Sequence, residues 1–307
     1  MTRVEARFPW AGAKLHWRDR AIAWGARNVV RRALSAPPHW PSHRRGFAMA
    51  GRMRQLAAAR GVRYRSIALG PRGALEISPE APERRLIWVH GGGFVVGAPE
   101  THLAMLTHLA RAANALIIAP RYRHAPEDPF PAAVDDIEAA SREAMAWRAD
   151  VGQAALGGDS AGGCLALVAL AHLLARGQTP EALLLYSPAT IVDPERPVPE
   201  ADDLLFPESV LHDLGKVYAG DEDPKNPRLS PIHGDYRGAP RTLIQCVCGE
   251  YLEEDSDALA AHLAGFNVPV RLEKVNGMPH VWQFMAGSSP LADAAIARSA
   301  QFLKGAE

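Results

Sequence analysis

The pentapeptide Gly158-Asp159-Ser160-Ala161-Gly162 has the spacing Gly-x-Ser-x-Gly. Glycines two before and two after a serine let the backbone make a tight, strained turn that lifts the hydroxyl clear of its surroundings. An apolar run at 154–157 precedes the turn and a helical pattern over 161–175 follows it. Such a helix would direct N–H groups and the positive end of its dipole toward developing negative charge. The same residues would also suit an ordinary strand–helix turn with a capping serine, so nucleophilic chemistry needs further partners. Upstream, His90-Gly91-Gly92-Gly93 follows a second apolar run. Three successive glycines let backbone N–H groups converge on one oxygen, as an oxyanion hole requires. A phosphate-binding turn fits less well. Val96 occupies the last glycine position of G-x-G-x-x-G, and no Gly-Lys-Ser/Thr follows.

The elements that must position these residues are readable from periodicity. Strands are predicted at 62–69, 74–77, 85–90, 115–119, 154–157, 182–186, 242–248 and 270–275. Helices are predicted at 100–113, 131–147, 161–175, 254–265 and 290–303. Short apolar strands alternating with amphipathic helices imply right-handed βαβ units and a mainly parallel sheet. The Pro- and Asp-rich run 188–227 breaks the alternation and reads as an insertion carrying one helix near 207–219. Before the first strand, Pro9 opens a predicted helix to Leu34 that Pro37 and Pro38 stop, and a second helix is predicted from Phe47 to Arg60.

Three blocks give the chain a family likeness: His90-Gly-Gly-Gly-Phe94, Gly158-Asp-Ser-Ala-Gly-Gly163, and Arg121-Tyr-Arg-His-Ala-Pro-Glu-Asp-Pro-Phe-Pro131. From about residue 62 onward it resembles the α/β-hydrolase fold esterases and lipases of the hormone-sensitive lipase family. The resemblance implies a Ser-His-acid triad in the chain order serine, acid, histidine. A histidine must take the hydroxyl proton and an acid must orient that histidine. Five of the 12 histidines lie downstream of Ser160, and His280, directly after the last predicted strand, stands where the family places its base. Glu250, in Gly249-Glu-Tyr-Leu-Glu-Glu254, matches the acid position of a branch that uses Glu. Asp255 and Asp257 are alternatives, although acids at a helix start also favour the dipole for structural reasons. The oxyanion donors would be Gly92, Gly93 and Ala161, with Gly91 as a substitute, and Phe94, Phe206 and Trp282 are candidate substrate-lining residues. Neither metal nor organic cofactor is required. The implied reaction is hydrolysis of short-to-medium acyl esters through an acyl-enzyme. Lactone hydrolysis, deacetylation, amide hydrolysis or acyl transfer could use the same triad. Some relatives are receptors that have lost the histidine, and the presence of His280 argues against that role.

Composition agrees with a globular enzyme. The chain has 307 residues, 48% hydrophobic and 22% charged. Its longest apolar stretch, 164–175, is interrupted by His172 and falls short of the ~20 residues of a membrane-spanning helix. Three cysteines give no disulfide framework or zinc spacing, which suits a reducing, cytoplasmic setting. Zero net charge excludes a globally basic nucleic-acid binder, but it is unevenly placed: residues 1–65 count +13 and the remainder −13. Four of seven tryptophans share the basic segment. In the family, residues 1–55 and 188–227 would form a cap over a catalytic core of 56–307. Trp10, Trp17 and Trp24 would share one helix face, and Leu15, Ile22 and Val29 another. Two seams predict a helix packed on both sides, in a cap or a homodimer contact, rather than one resting on a membrane.

Overall fold

The computed structural model describes residues 4–7, 9–10, 14–36 and 38–306. Among these residues nine strands form one sheet: β1 (Val4–Arg7), β2 (Arg63–Ile67), β3 (Ala74–Ser78), β4 (Arg84–Val89), β5 (Ala115–Pro120), β6 (Ala154–Asp159), β7 (Leu183–Tyr186), β8 (Thr242–Val247) and β9 (Val270–Val275). Their spatial order is β1-β9-β8-β7-β6-β4-β5-β3-β2. From β1 to β5 every pairing is parallel, whereas β3 runs antiparallel to β5 and to β2. The central strands are apolar throughout because both faces are covered. Along β4, Leu86 and Trp88 point into one core layer and Ile87 and Val89 into the other.

Helices fill the two layers. One side holds α4 (Leu103–Ala113) and α9 (Pro290–Leu303), and the other α5 (Ala132–Ala146), α6 (Ala161–Leu174) and α8 (Glu253–Gly265). The sixth helix is apolar on nearly every face and almost wholly buried, which explains the long hydrophobic stretch in the sequence. The insertion carries α7 (Glu208–Ala219), on the predicted residues. Among the described residues no helix is long and apolar enough to cross a membrane.

The N-terminal segment departs from expectation. Val4–Arg7 pairs with β9 and so belongs to the sheet rather than to a covering layer. The first helix does not open at Pro9: α1 spans Trp17–Gly25, with the His16 ring accepting from the Arg18 N–H to cap it. Residues 8, 11–13 and Pro37 lie outside the described residues. A π-helical turn at Ala26–Val30 links α1 to α2 (Arg31–Leu34). That turn adds a residue to the repeat and shifts the phase of the apolar seam, so Val29 is exposed. Trp17 and Trp24 are also exposed, and Trp10 instead meets Trp282 edge-on at 5.7 Å. Within the chain, therefore, Trp17 and Trp24 are not packed against the rest of the protein. The next helix, α3 (Trp40–Arg54), begins seven residues before its predicted start because Pro41 fits in a first turn.

Candidate active site

The order in which strands are added to the sheet reverses between β4 and β6, which run parallel. β5 follows β4 on one side, and β6 lies on the other. Loops leaving the carboxyl ends of two such strands diverge and open a crevice, the place where parallel sheets bind ligands. His90–Gly93 leaves β4 there and Ser160 leaves β6. The loops after β8 and β9 bring Glu250 and His280 to the same end.

Ser160 sits at φ 54°, ψ −124°, a conformation that a residue with a Cβ adopts only under constraint. The constraint is packing at the turn. A Cβ on Gly162 would lie 2.2 Å from the Val89 carbonyl oxygen, so nothing larger than glycine lets α6 approach β4. The Ser160 N–H donates to the Tyr186 carbonyl at 2.9 Å, and its own carbonyl accepts from Gly163, Cys164 and Ala189. Its side chain does not cap the helix. The hydroxyl is partly exposed and makes no hydrogen bond among the described residues.

His280 is buried, and its Nδ1 donates to Glu250 Oε2 at 2.7 Å. The other carboxylate oxygen of Glu250 accepts from the Ser187 hydroxyl at 2.6 Å and the Val247 N–H at 2.9 Å. With Nδ1 carrying the proton, the lone pair lies on Nε2, which is buried and has no partner among the described residues. Burial pushes the imidazole pKa down, but the Glu250 charge and hydrogen bond, helped by Asp203 and Asp159, leave it raised overall. The rival acids are engaged elsewhere. Asp255 accepts from the Thr190 and Ile191 N–H groups and from Arg196, anchoring the start of the insertion. Asp257 pairs with Lys274.

The glycine loop turns sharply at Gly92, φ 128°, where a Cβ would meet the Val96 carbonyl at 2.0 Å. Among the described residues the N–H groups of Gly92, Gly93 and Ala161 have no acceptor. Gly91 is different: its N–H donates to Asp159 Oδ2 at 3.1 Å. It is therefore unavailable as a substitute oxyanion donor. Asp159 also accepts from Trp88 Nε1 at 3.0 Å and His102 Nε2 at 3.1 Å, a buried network that ties the glycine loop to the residue before the serine. His90 lies beneath. Its Nδ1 donates to the Gly91 carbonyl, its carbonyl accepts from the Tyr122 hydroxyl, and burial beside His102 and His124 holds its pKa well below the usual value.

Of the three candidate lining residues, Phe206 packs on the His280 ring at 5.0 Å. Phe94, just past the glycine loop, stacks on Tyr218 of α7 at 3.7 Å. Trp282 is fully buried in a core cluster with Met278, Val275 and Ala292, so it supports the base loop from behind and cannot line a pocket. Three residues escaped the sequence reading. Ser187 follows β7, and its position beside the nucleophile strand is a property of strand order. His102 follows Thr101 in a stretch with no distinguishing spacing. Leu214 lies on α7, close enough that a Cβ on Gly93 would come 2.7 Å from its side chain. A pocket of about 110 Å³ lies against His280 and Glu250, bordered by Asp202, Asp203 and Leu204 of the insertion. The described residues contain no cluster suited to a metal ion.

Comparison with known proteins identifies the family. Residues 86–284 match the alpha/beta hydrolase fold family. An acetyl-hydrolase of Streptomyces hygroscopicus is 35% identical over 227 residues, which is 73% of this chain and 76% of that protein. A putative acetyl-hydrolase of Mycobacterium tuberculosis is 30% identical over 91% of this chain and 94% of its own length. The crystal structure of an esterase from the bacterial hormone-sensitive lipase family superposes with a TM-score of 0.84 at 30% identity, covering 95% of this chain and 99% of that one. The chain belongs to the α/β-hydrolase family, in its hormone-sensitive-lipase-like branch of esterases.

Proposed function

We propose that this carboxylic ester hydrolase cleaves short acyl esters, acetyl esters foremost, through a Ser160-His280-Glu250 triad. The observation that carries the reading is the His280 imidazole, fixed through Nδ1 to buried Glu250 with Nε2 unpartnered. In the reaction, Nε2 takes the Ser160 proton as the hydroxyl oxygen attacks the ester carbonyl. Negative charge forms on the carbonyl oxygen and is met by the N–H groups of Gly92, Gly93 and Ala161, already oriented and unengaged. The tetrahedral species collapses, the imidazolium gives its proton to the leaving alcohol, and the acyl group remains on Ser160. Water, deprotonated by the same nitrogen, then releases the acid. Glu250 holds the tautomer and stabilises the imidazolium. Leu214, Phe94 and Phe206 crowd the space beside the glycine loop and His280, which favours a small acyl group, and two relatives bear the name acetyl-hydrolase. The helices of residues 17–54 and the insertion 188–227 serve as the cap, over a core that begins with the sheet.

A series of p-nitrophenyl esters of rising chain length tests this reading. The expected result is highest kcat/KM for the shortest acyl groups and, for Ser160→Ala, a loss of about 10⁴-fold or more. Turnover undiminished in Ser160→Ala would overturn the triad, and a preference for long chains would overturn the acyl assignment.

A further inference from the structure

Apart from Tyr64, every large apolar side chain standing well exposed among the described residues falls between 17 and 56. Trp17 and Trp24 are 61% and 64% exposed on α1, and Val29 and Val30 follow in the π turn. Met49 and Met53 are on α3, and Leu56, just beyond it, is 94% exposed. Trp17 and Trp24 are seven residues apart and so share a face. The two helices bond to one turn. Asp19 of α1 accepts from the Ser289 hydroxyl, and Arg54 of α3 donates to the Ser288 hydroxyl and the Ala286 carbonyl. Both therefore dock on the 286–289 turn.

The charges around these side chains have one sign. Residues 14–60 contain eleven Lys and Arg and a single carboxylate, Asp19, which is buried. Arg27, Arg31, Arg44 and Arg54 are bound to the rest of the protein. The other seven cations are exposed and have no ion-pair partner among the described residues. A surface of exposed tryptophan and aliphatic side chains among unpaired cations has two chemical demands, an apolar layer and fixed negative charge. A second copy of this chain meets only the first, because a two-fold contact would press the cationic face against itself. Nucleic acid meets only the second and offers nothing to Met49, Met53, Leu56 and the two valines. An anionic lipid surface meets both: indoles sit at the headgroup level, aliphatic groups enter the acyl boundary and arginines reach the phosphates.

We propose that the outer face of the N-terminal helices docks the protein on an anionic lipid surface. The opposite side of this layer reaches the active-site loops through Arg44, which bonds the Val95 and Ala125 carbonyls. Docking thus holds the substrate entrance near the layer in which apolar esters concentrate.

Sedimentation of the full chain with phosphatidylcholine vesicles, with and without phosphatidylglycerol, tests the proposal without any ester. Binding is expected to the phosphatidylglycerol vesicles alone and to weaken as salt is raised. A double variant, Trp17→Ser with Trp24→Ser, should lose about tenfold or more of the vesicle partition. Its far-UV circular dichroism and Tm should match the parent's, which establishes that it has folded. Tyr64→Ser, outside the face, should bind as the parent. Failure to bind phosphatidylglycerol vesicles would overturn the proposal, as would binding that the double variant retains. A stable dimer dissolved by the same two substitutions would assign the face to a second copy. Tighter binding to duplex DNA than to vesicles would assign it to nucleic acid.

Discussion

His280 experiences opposing influences. Burial favours the neutral ring, while Glu250, in contact through Nδ1, favours the charged one and prevails. A general base works only when neutral, so kcat/KM should rise with pH through a value above the ordinary ~6.5 of histidine. Replacing Glu250 by Gln removes the favouring charge and leaves burial unopposed. Its acid limb should move to lower pH and its plateau should fall about 10²–10⁴-fold, as a pH–rate profile on p-nitrophenyl acetate would reveal. Linkage has the same origin. Because the folded pKa is raised, the His280–Glu250 pairing stabilises the protein below about pH 6.5, and that contribution fades as pH rises through the folded value. Asp255 makes the contrasting case. Asp255→Asn should keep kcat within about threefold, since it touches neither ring nor serine, yet lower Tm by several degrees as the insertion loses its anchor. A deep rate loss in this variant with none in Glu250→Gln would reverse the choice of acid.

At the scale of elements, the site depends on one close approach, that of α6 to β4. Gly162 is the contact point, and the methyl group of Gly162→Ala would fall 2.2 Å from the Val89 carbonyl oxygen. The helix must then retreat, carrying the strained Ser160 backbone and the Ala161 N–H with it. Activity should fall about 10²-fold or more, and thermal unfolding should occur at a lower temperature. A fully active Gly162→Ala enzyme would show that the approach is not what holds the serine. The strands and helices of the catalytic core were legible in the sequence because each buries a continuous or strictly periodic apolar set. The first helices were less so. Their phase depends on a π turn, their start on a histidine cap, and the strand before them on an edge that β9 supplies.

For the whole molecule, the opposed charges of the two parts bear on how the N-terminal helices are held. Few of the N-terminal cations actually meet an acid. Arg44 is the best placed: it bonds Glu127 and two backbone carbonyls, and Glu127 is held at a pKa of about 2 chiefly by that hydrogen bond. Arg44→Ala should loosen α3 from the loop after the oxyanion glycines. The expected outcome is faster amide exchange over 40–54 and a raised KM for p-nitrophenyl acetate with kcat changed less. Unaltered exchange there would mean that apolar contacts suffice to hold the helix.

The sequence by itself determined the nucleophile turn, the glycine loop, the parallel sheet and the family. Each is a local pattern whose meaning depends on neighbours along the chain: a glycine two residues away, or a strand running into a helix. Only the tertiary structure decided which carboxylate meets His280, that the Gly91 N–H is already spent on Asp159, that Trp282 is core and that Trp17 and Trp24 are not. Those outcomes depend on residues far apart in the chain, such as Ser187 with Glu250 or Trp10 with Trp282. No spacing rule encodes them, because strand order and helix phase are set only when all the apolar faces are buried together.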